Sequence, residues 1–270
     1  MSRTARLALI TLVLPVALSA CSGEEPDDRS AEAVLEDATD ASLSSRRFVV
    51  DLEARLDLDG RELGLTAAGR VDYDAVVADL ALGVEQQSGT AVAQILADGE
   101  RVWVSLEGDD AAPFPGGARY VQGSSDKLAA ATTFAPESLL GVLHVLRGAE
   151  DVEQGDDQDV AGVETRVFTF TVAYLDAVAA AGDDAETFEM AFNLTGDATA
   201  ADLDIEVAIG PDDVVRRFAL EIVAGDLPVT GTYDLALSEV GEDVAVPDAP
   251  ADDEVASRKD SAKTLRQLLT

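Results

Sequence analysis

From Phe48 to Leu58 every second residue is apolar: Phe48, Val50, Leu52, Ala54, Leu56 and Leu58 alternate with Val49, Asp51, Glu53, Arg55 and Asp57. A period of two gives a β-strand one apolar face and one largely charged face. Asp59-Gly60 supplies a turn, and Leu63, Leu65, Ala67, Gly69 and Val71 carry the pattern on. A third run covers Val77 to Val84, and the runs Ala91 to Ala97 and Arg101 to Leu106 flank Asp98-Gly99, a strong hairpin signal. Alternation resumes in Phe168, Phe170 and Val172, in Phe188, Met190, Phe192 and Leu194, and in Leu203, Ile205, Val207 and Ile209. Gly210-Pro211-Asp212-Asp213 turns the chain into Phe218, Leu220 and Ile222, and Tyr233, Leu235 and Leu237 make a last strand. About ten or eleven strands of this kind, joined by short connections, predict a large antiparallel sheet wet on one side.

Helical spacing is rarer. Ser30 is placed to cap a helix in which Ala31, Val34, Leu35 and Ala38 share a face. A second helical stretch is predicted from about Ser124 through Phe134, broken at Pro136 and restarting through Glu137-Ser138-Leu139-Leu140-Gly141-Val142-Leu143-His144-Val145-Leu146. A third is short, about Ala173 to Ala181. These few helices must cover the apolar face of a wide sheet. Two arrangements satisfy the pattern: a concave side holding space for a ligand, or a core filled by side chains.

The chain of 270 residues carries 53 Asp and Glu against 19 Lys and Arg, a formal net charge of −34. That surface repels polyanions, so nucleic acid is excluded as a partner. The acidity reads as a device for solubility or for life in salt. The apolar content of 47% supports one substantial core, and no charged or low-complexity block divides it.

Cysteine occurs once, at Cys21, directly after Leu18-Ser19-Ala20. Arg3 and Arg6 open the chain and Leu7 to Leu18 form an apolar stretch, the layout of an export signal. Twelve helical residues span about 18 Å, well short of the ~30 Å hydrocarbon core, so the stretch is read as a removed signal and not as a membrane span. Leu-Ser-Ala-Cys resembles a bacterial lipobox, which implies a diacylglyceryl group on the Cys21 thiol and attachment to the outward face of the cell membrane. Ser22 to Arg29 holds no apolar residue to bury and reads as a tether. The expected organisation is a signal peptide at 1–20, lipidated Cys21 and acidic tether at 21–30, one domain at 31–254 and a basic tail at 255–270. In that tail Arg258, Lys259, Lys263 and Arg266 are opposed only by Asp260, and Ala262, Leu265, Leu268 and Leu269 are spaced to share one helical face.

Chemistry finds few candidates. His144 is the one histidine, set among apolar neighbours, and neither a Gly-x-Ser-x-Gly elbow nor a P-loop is present. An EF-hand loop begun at Asp157 places Asp159 and Gly162 suitably, but Ala161 and Phe168 fall on ligand positions. A zinc site of thiolates and imidazoles cannot be made from one His and one acylated Cys. No catalytic residue, metal or cofactor is expected.

Three segments carry a family resemblance: Leu139-Leu140-Gly141-Val142-Leu143 through Asp151-Val152-Glu153; Asp159-Val160-Ala161-Gly162-Val163-Glu164-Thr165-Arg166-Val167-Phe168; and Val240-Gly241-Glu242-Asp243-Val244-Ala245-Val246-Pro247. With the order of signal, lipobox, linker, helix, strands, central leucine-rich helix and strands, they resemble the LppX/LprA/LprF/LprG lipoproteins, whose half-barrel is similar to that of the LolA and LolB carriers. The resemblance spans about 31 to 254. It implies an α+β fold, a large curved antiparallel sheet covered on its concave face by a few helices. It also implies an apolar cavity that binds or passes on a lipid or acylated glycolipid, with a membrane transporter as the protein partner such a role invites. Facing of helix and strand gives Leu139, Leu140, Leu143, Phe168 and Phe170 as cavity walls. The alternatives are a partner-binding or structural envelope lipoprotein with a filled core, or an enzyme whose site is assembled from residues without a recognisable motif.

Overall fold

The computed structural model describes residues 29–58, 60, 62–86, 89–108, 114–124, 140–186, 188, 201–223 and 229–268. Among them the chain opens with α1 (Ala31–Ser44), capped by Ser30, whose hydroxyl accepts from the Ala33 N–H at 3.3 Å. Five long strands follow as a meander: β1 (Arg47–Leu58), β2 (Glu62–Asp72), β3 (Val77–Gln86), β4 (Gly89–Asp98) and β5 (Arg101–Gly108), with a short β6 (Val121–Ser124) beyond them. A 3₁₀ helix at Gly141–Gly148 leads to the short β7 (Glu153–Gln154) and β8 (Gln158–Val160), then to β9 (Val163–Ala173) and α2 (Tyr174–Ala181). The chain ends with β10 (Asp202–Ile209), β11 (Val215–Val223), β12 (Val229–Ser238) and α3 (Arg258–Leu268).

All twelve described strands lie in one open sheet, in the order β6-β5-β4-β3-β2-β1-β12-β11-β10-β9-β7, with β8 paired to β9. Every pairing is antiparallel. The two meanders meet where β1 pairs with β12, from Val49 opposite Ser238 to Leu58 opposite Val229. The fold is thus the expected α+β half-barrel. Its extra strands are the short ones, β6, β7 and β8, too brief to show alternation.

Two interior rows cross the sheet: Val121, Val104, Ile95, Leu80, Gly69, Val50 and Leu237 stand opposite one another in turn, and two residues along β12 Leu235, Phe218, Val207 and Phe168 do the same. Gly69 sits in the middle of the first row with φ 142°, and a Cβ there would run into the Asp79 carbonyl oxygen. The close approach of β3 is what requires glycine.

Two helical expectations change. Ser124 ends β6 instead of opening a helix, and the rest of the predicted stretch to Leu139 lies outside the described residues. The leucine-rich segment is a 3₁₀ helix from Gly141, and Gly141 through Leu146 are all buried. It is wedged between α1 and α2 so closely that a Cβ on Gly148 would stand 3.3 Å from the Ala177 Cα. Phe188, expected to open a strand, is helical and buried, its ring 5.8 Å from that of Tyr174; positions 189–194 of that expected strand lie outside the described residues.

The C-terminal segment is docked. Val255 forms a parallel bridge with Tyr120, the Tyr120 carbonyl accepts from the Ala256 N–H at 2.8 Å, and the Gln122 N–H donates to the Ser261 hydroxyl at 3.1 Å. Val255 joins Leu96, Trp103 and Tyr120 in a small apolar cluster apart from the main core. These contacts cover β6, an edge whose backbone groups would otherwise offer themselves to another chain.

Candidate functional site

The apolar face has two unlike ends. Beneath α1, the 3₁₀ helix and α2, Phe48, Phe168, Phe218, Leu235 and Leu237 are at most 1% exposed. Toward the other end Leu56 stands opposite Leu63, Leu65 opposite Val84, and Ala93 opposite Leu106 and Leu82. There Leu56, Leu63, Leu65 and Leu82 are half-buried, and Val84 and Leu106 are each 36% exposed. Lengths explain the difference. A strand of 12 residues is about 40 Å long at ~3.3 Å per residue, whereas helices of 14 and 8 residues span about 21 and 12 Å. Among the described residues, the helices packed on the apolar face cover one end of it and leave the other without a helix.

Of the residues read from the sequence as cavity walls, Leu140 and Leu143 are fully buried in the 3₁₀ helix, and Phe168 and Phe170 are 1% and 6% exposed on β9. All four join one core cluster at the covered end. Leu139 and Cys21 lie outside the described residues. The open-end residues Leu56, Leu63, Leu65, Leu82, Val84 and Leu106 continue the same alternation, which by itself does not distinguish them from the covered ones. The length mismatch between strands and helices was the signal that marks them.

Behind the 3₁₀ helix a charged clamp ties the covering layer together. Arg147 reaches Asp40 of α1 at 2.9 Å and Asp184, just past α2, at 3.0 Å. His144 lies beside it, 4% exposed, its Nδ1 3.7 Å from Asp184 and without a hydrogen-bond partner. Burial holds the imidazole below its ordinary pKa, outweighing the Asp184 carboxylate, while Arg147 pushes the same way as burial. The histidine is packed among three helical segments.

The opposite, polar face carries a recess of about 1060 Å³ across β9 to β12, lined by Glu53, Glu150, Asp151, Glu153, Asp204, Glu206, Glu221 and Asp234 among others. Arg217 bridges Asp234 at 2.6 Å and Glu206 at 3.4 Å there. Among the described residues no group of three or more His, Cys, Asp or Glu is placed to hold a metal ion. No described helix is long and apolar enough to cross a membrane.

No protein-family model matches the chain, and no curated protein matches it. Among solved structures the chain is similar to LprF from Mycobacterium bovis, at 13% identity over 80% of this chain and 95% of that one, with a TM-score of 0.47. It is similar to the Mycobacterium tuberculosis lipoprotein LppX at 17% identity over 81% of this chain and 100% of that one, with a TM-score of 0.43. It is also similar to a LolA superfamily protein from Nitrosomonas europaea at 11% identity, covering 82% of this chain and 96% of that one, with a TM-score of 0.20. All three TM-scores lie below 0.5, and both the fold and the chemistry of this chain are read from its own residues.

Proposed function

We propose that this chain is a membrane-anchored extracytoplasmic lipoprotein that holds the acyl chains of a lipid or acylated glycolipid against the open end of its half-barrel, without catalysis. The observation that carries the reading is the row of half-buried and exposed apolar side chains, Leu56, Leu63, Leu65, Leu82, Val84 and Leu106, on a face whose other end is fully packed. An acyl chain laid on such a face removes apolar area from water at about 25 cal/mol per Å². The single thiol at Cys21, placed after an apolar leader, supports the anchor, and a membrane transporter is the partner that a lipid carrier at that surface would serve.

The test is native mass spectrometry and organic extraction of residues 22–270 expressed in a lipid-rich actinobacterial host. A stoichiometric lipid, lost in Leu106→Asp and Val84→Asp, supports the reading. A clean apo mass with no uptake of fluorescent lipid analogues rejects it. A second reading has its own observation: Leu140, Leu143, Phe168 and Phe170 are buried in a continuous core, as in a lipoprotein that binds a protein partner and no lipid. Leu106→Asp and Val84→Asp separate the two, since they abolish lipid uptake under the first reading and have no uptake to abolish under the second.

A further inference from the structure

We infer that the exposed basic face of α3 is a docking surface for anionic lipid head groups, which fixes how the half-barrel stands on its membrane; the inference rests on the reading that the chain is anchored through its N-terminus. Cations are scarce here, and most are used within the protein. Arg29, Arg46, Arg47, Arg55, Arg101 and Arg119 all form ion pairs, as do Arg147, Arg166, Arg216 and Arg217. Arg258, Lys259 and Lys263 are exposed and pair with no described residue, although the acids Asp252, Asp253 and Glu254 lie just before them in the chain. The acid within the helix, Asp260, accepts from its Ser257 cap at 2.6 Å. Arg258 and Lys259 also occupy the first turn, where the helix dipole disfavours positive charge. Helix stability therefore does not explain them.

Position supports a membrane partner. The face is held rigidly, since Ser261 is 1% exposed against Gln122, two residues from the Ser124 end of β6. The tether enters at the same end of the strands, where Arg29 binds Asp213 in the β10–β11 turn at 2.8 Å. Eight residues span at most about 27 Å, so an anchor at Cys21 holds the β10–β11 turn, at this end of the strands, within that distance of the head groups. Repulsion from the acidic body is screened beyond roughly 8–10 Å at physiological salt, which leaves a local contact to the cations that face the surface. Three cations in contact with an anionic surface correspond to about a hundredfold in local association.

The experiment recruits residues 22–270 to vesicles through an N-terminal oligohistidine tag and a nickel-chelating lipid, with Ala262→Cys labelled by a fluorophore; Ala262 is exposed and the shortened chain has no other thiol. Quenching by head-group spin-labelled lipid is expected to be at least fivefold greater in phosphatidylglycerol vesicles than in phosphatidylcholine vesicles. It should vanish in ~0.5 M salt and in the variant R258Q/K259Q/K263Q, whose thermal stability should hold or rise. Equal quenching in both vesicles, or quenching that survives the triple variant, overturns the proposal. Variant-sensitive contact found only with native membrane proteins present also overturns it and assigns the face to an acidic protein. Because the tag replaces the acyl group, these outcomes stand apart from the anchor; a mass lacking a diacylglyceryl group on Cys21 in the full chain from its own host would reject the anchor alone.

Discussion

The two ends of the apolar face are built from the same alternation and differ in what lies over them. At the covered end Phe48, Phe218 and Leu235 are wholly buried; at the open end Val84 and Leu106 keep a third of their surface exposed. A strand pattern therefore records which side of a sheet is apolar, but not where along the strand the cover stops. Among the described residues the boundary falls where the short helices stop over the long strands. Stability should be concentrated at one end and ligand sensitivity at the other.

The hardest test of that division is Phe218→Ala at the covered end, expected to cost about 3–5 kcal/mol in urea unfolding. A loss under about 1 kcal/mol would mean that the covered end is not tightly packed. Next comes the His144 clamp. Its imidazole is held below the ordinary pKa, so below about pH 6.5 the unfolded chain binds a proton that the folded chain resists. Stability should fall on acidification through that window by up to about 1.4 kcal/mol per pH unit, a slope that His144→Gln removes. If the slope persists, the clamp is not the titrating element. Smaller still, Val84→Ser and Leu106→Ser should shift stability by no more than about 0.5 kcal/mol while weakening uptake of fluorescent acyl analogues. Comparable losses of stability would place the open end in the core. Leu82→Trp sharpens the contrast optically: its emission should move to shorter wavelength when an acyl ligand is added. Trp103, buried on the other side of the sheet against Tyr120, should hold constant.

Alternation made the nine long strands legible, from Phe48 through Leu58 to Tyr233 through Leu237, except where the pattern ran on into positions outside the described residues. It could not show the short β6 to β8, which hold two to four residues each. The leucine-rich segment was recognisable as a buried helix, but not its 3₁₀ winding between α1 and α2. Leu96 and Trp103 interrupt the alternation, standing between Ile95 and Ala97 and between Val102 and Val104. Consecutive apolar residues in a strand imply cover on both faces. The cover proved to be Val255, some 150 positions away, a contact that no local pattern encodes. For the candidate site, residue type was readable throughout, whereas exposure depended on where the helices ended.

The pairing of β1 with β12 joins positions separated by most of the chain, as when Val50 meets Leu237. Consecutive strands form hairpins with little loss of chain entropy, but this one seam closes a loop of about two thirds of the chain. The two meanders are thus free to form as chain emerges, while the sheet that unites them waits for the last strand to be delivered. Were the chain exported as proposed above, that delay would keep the sheet open during transit. The continuous sheet, with its fully packed end, is complete only once β12 has reached β1.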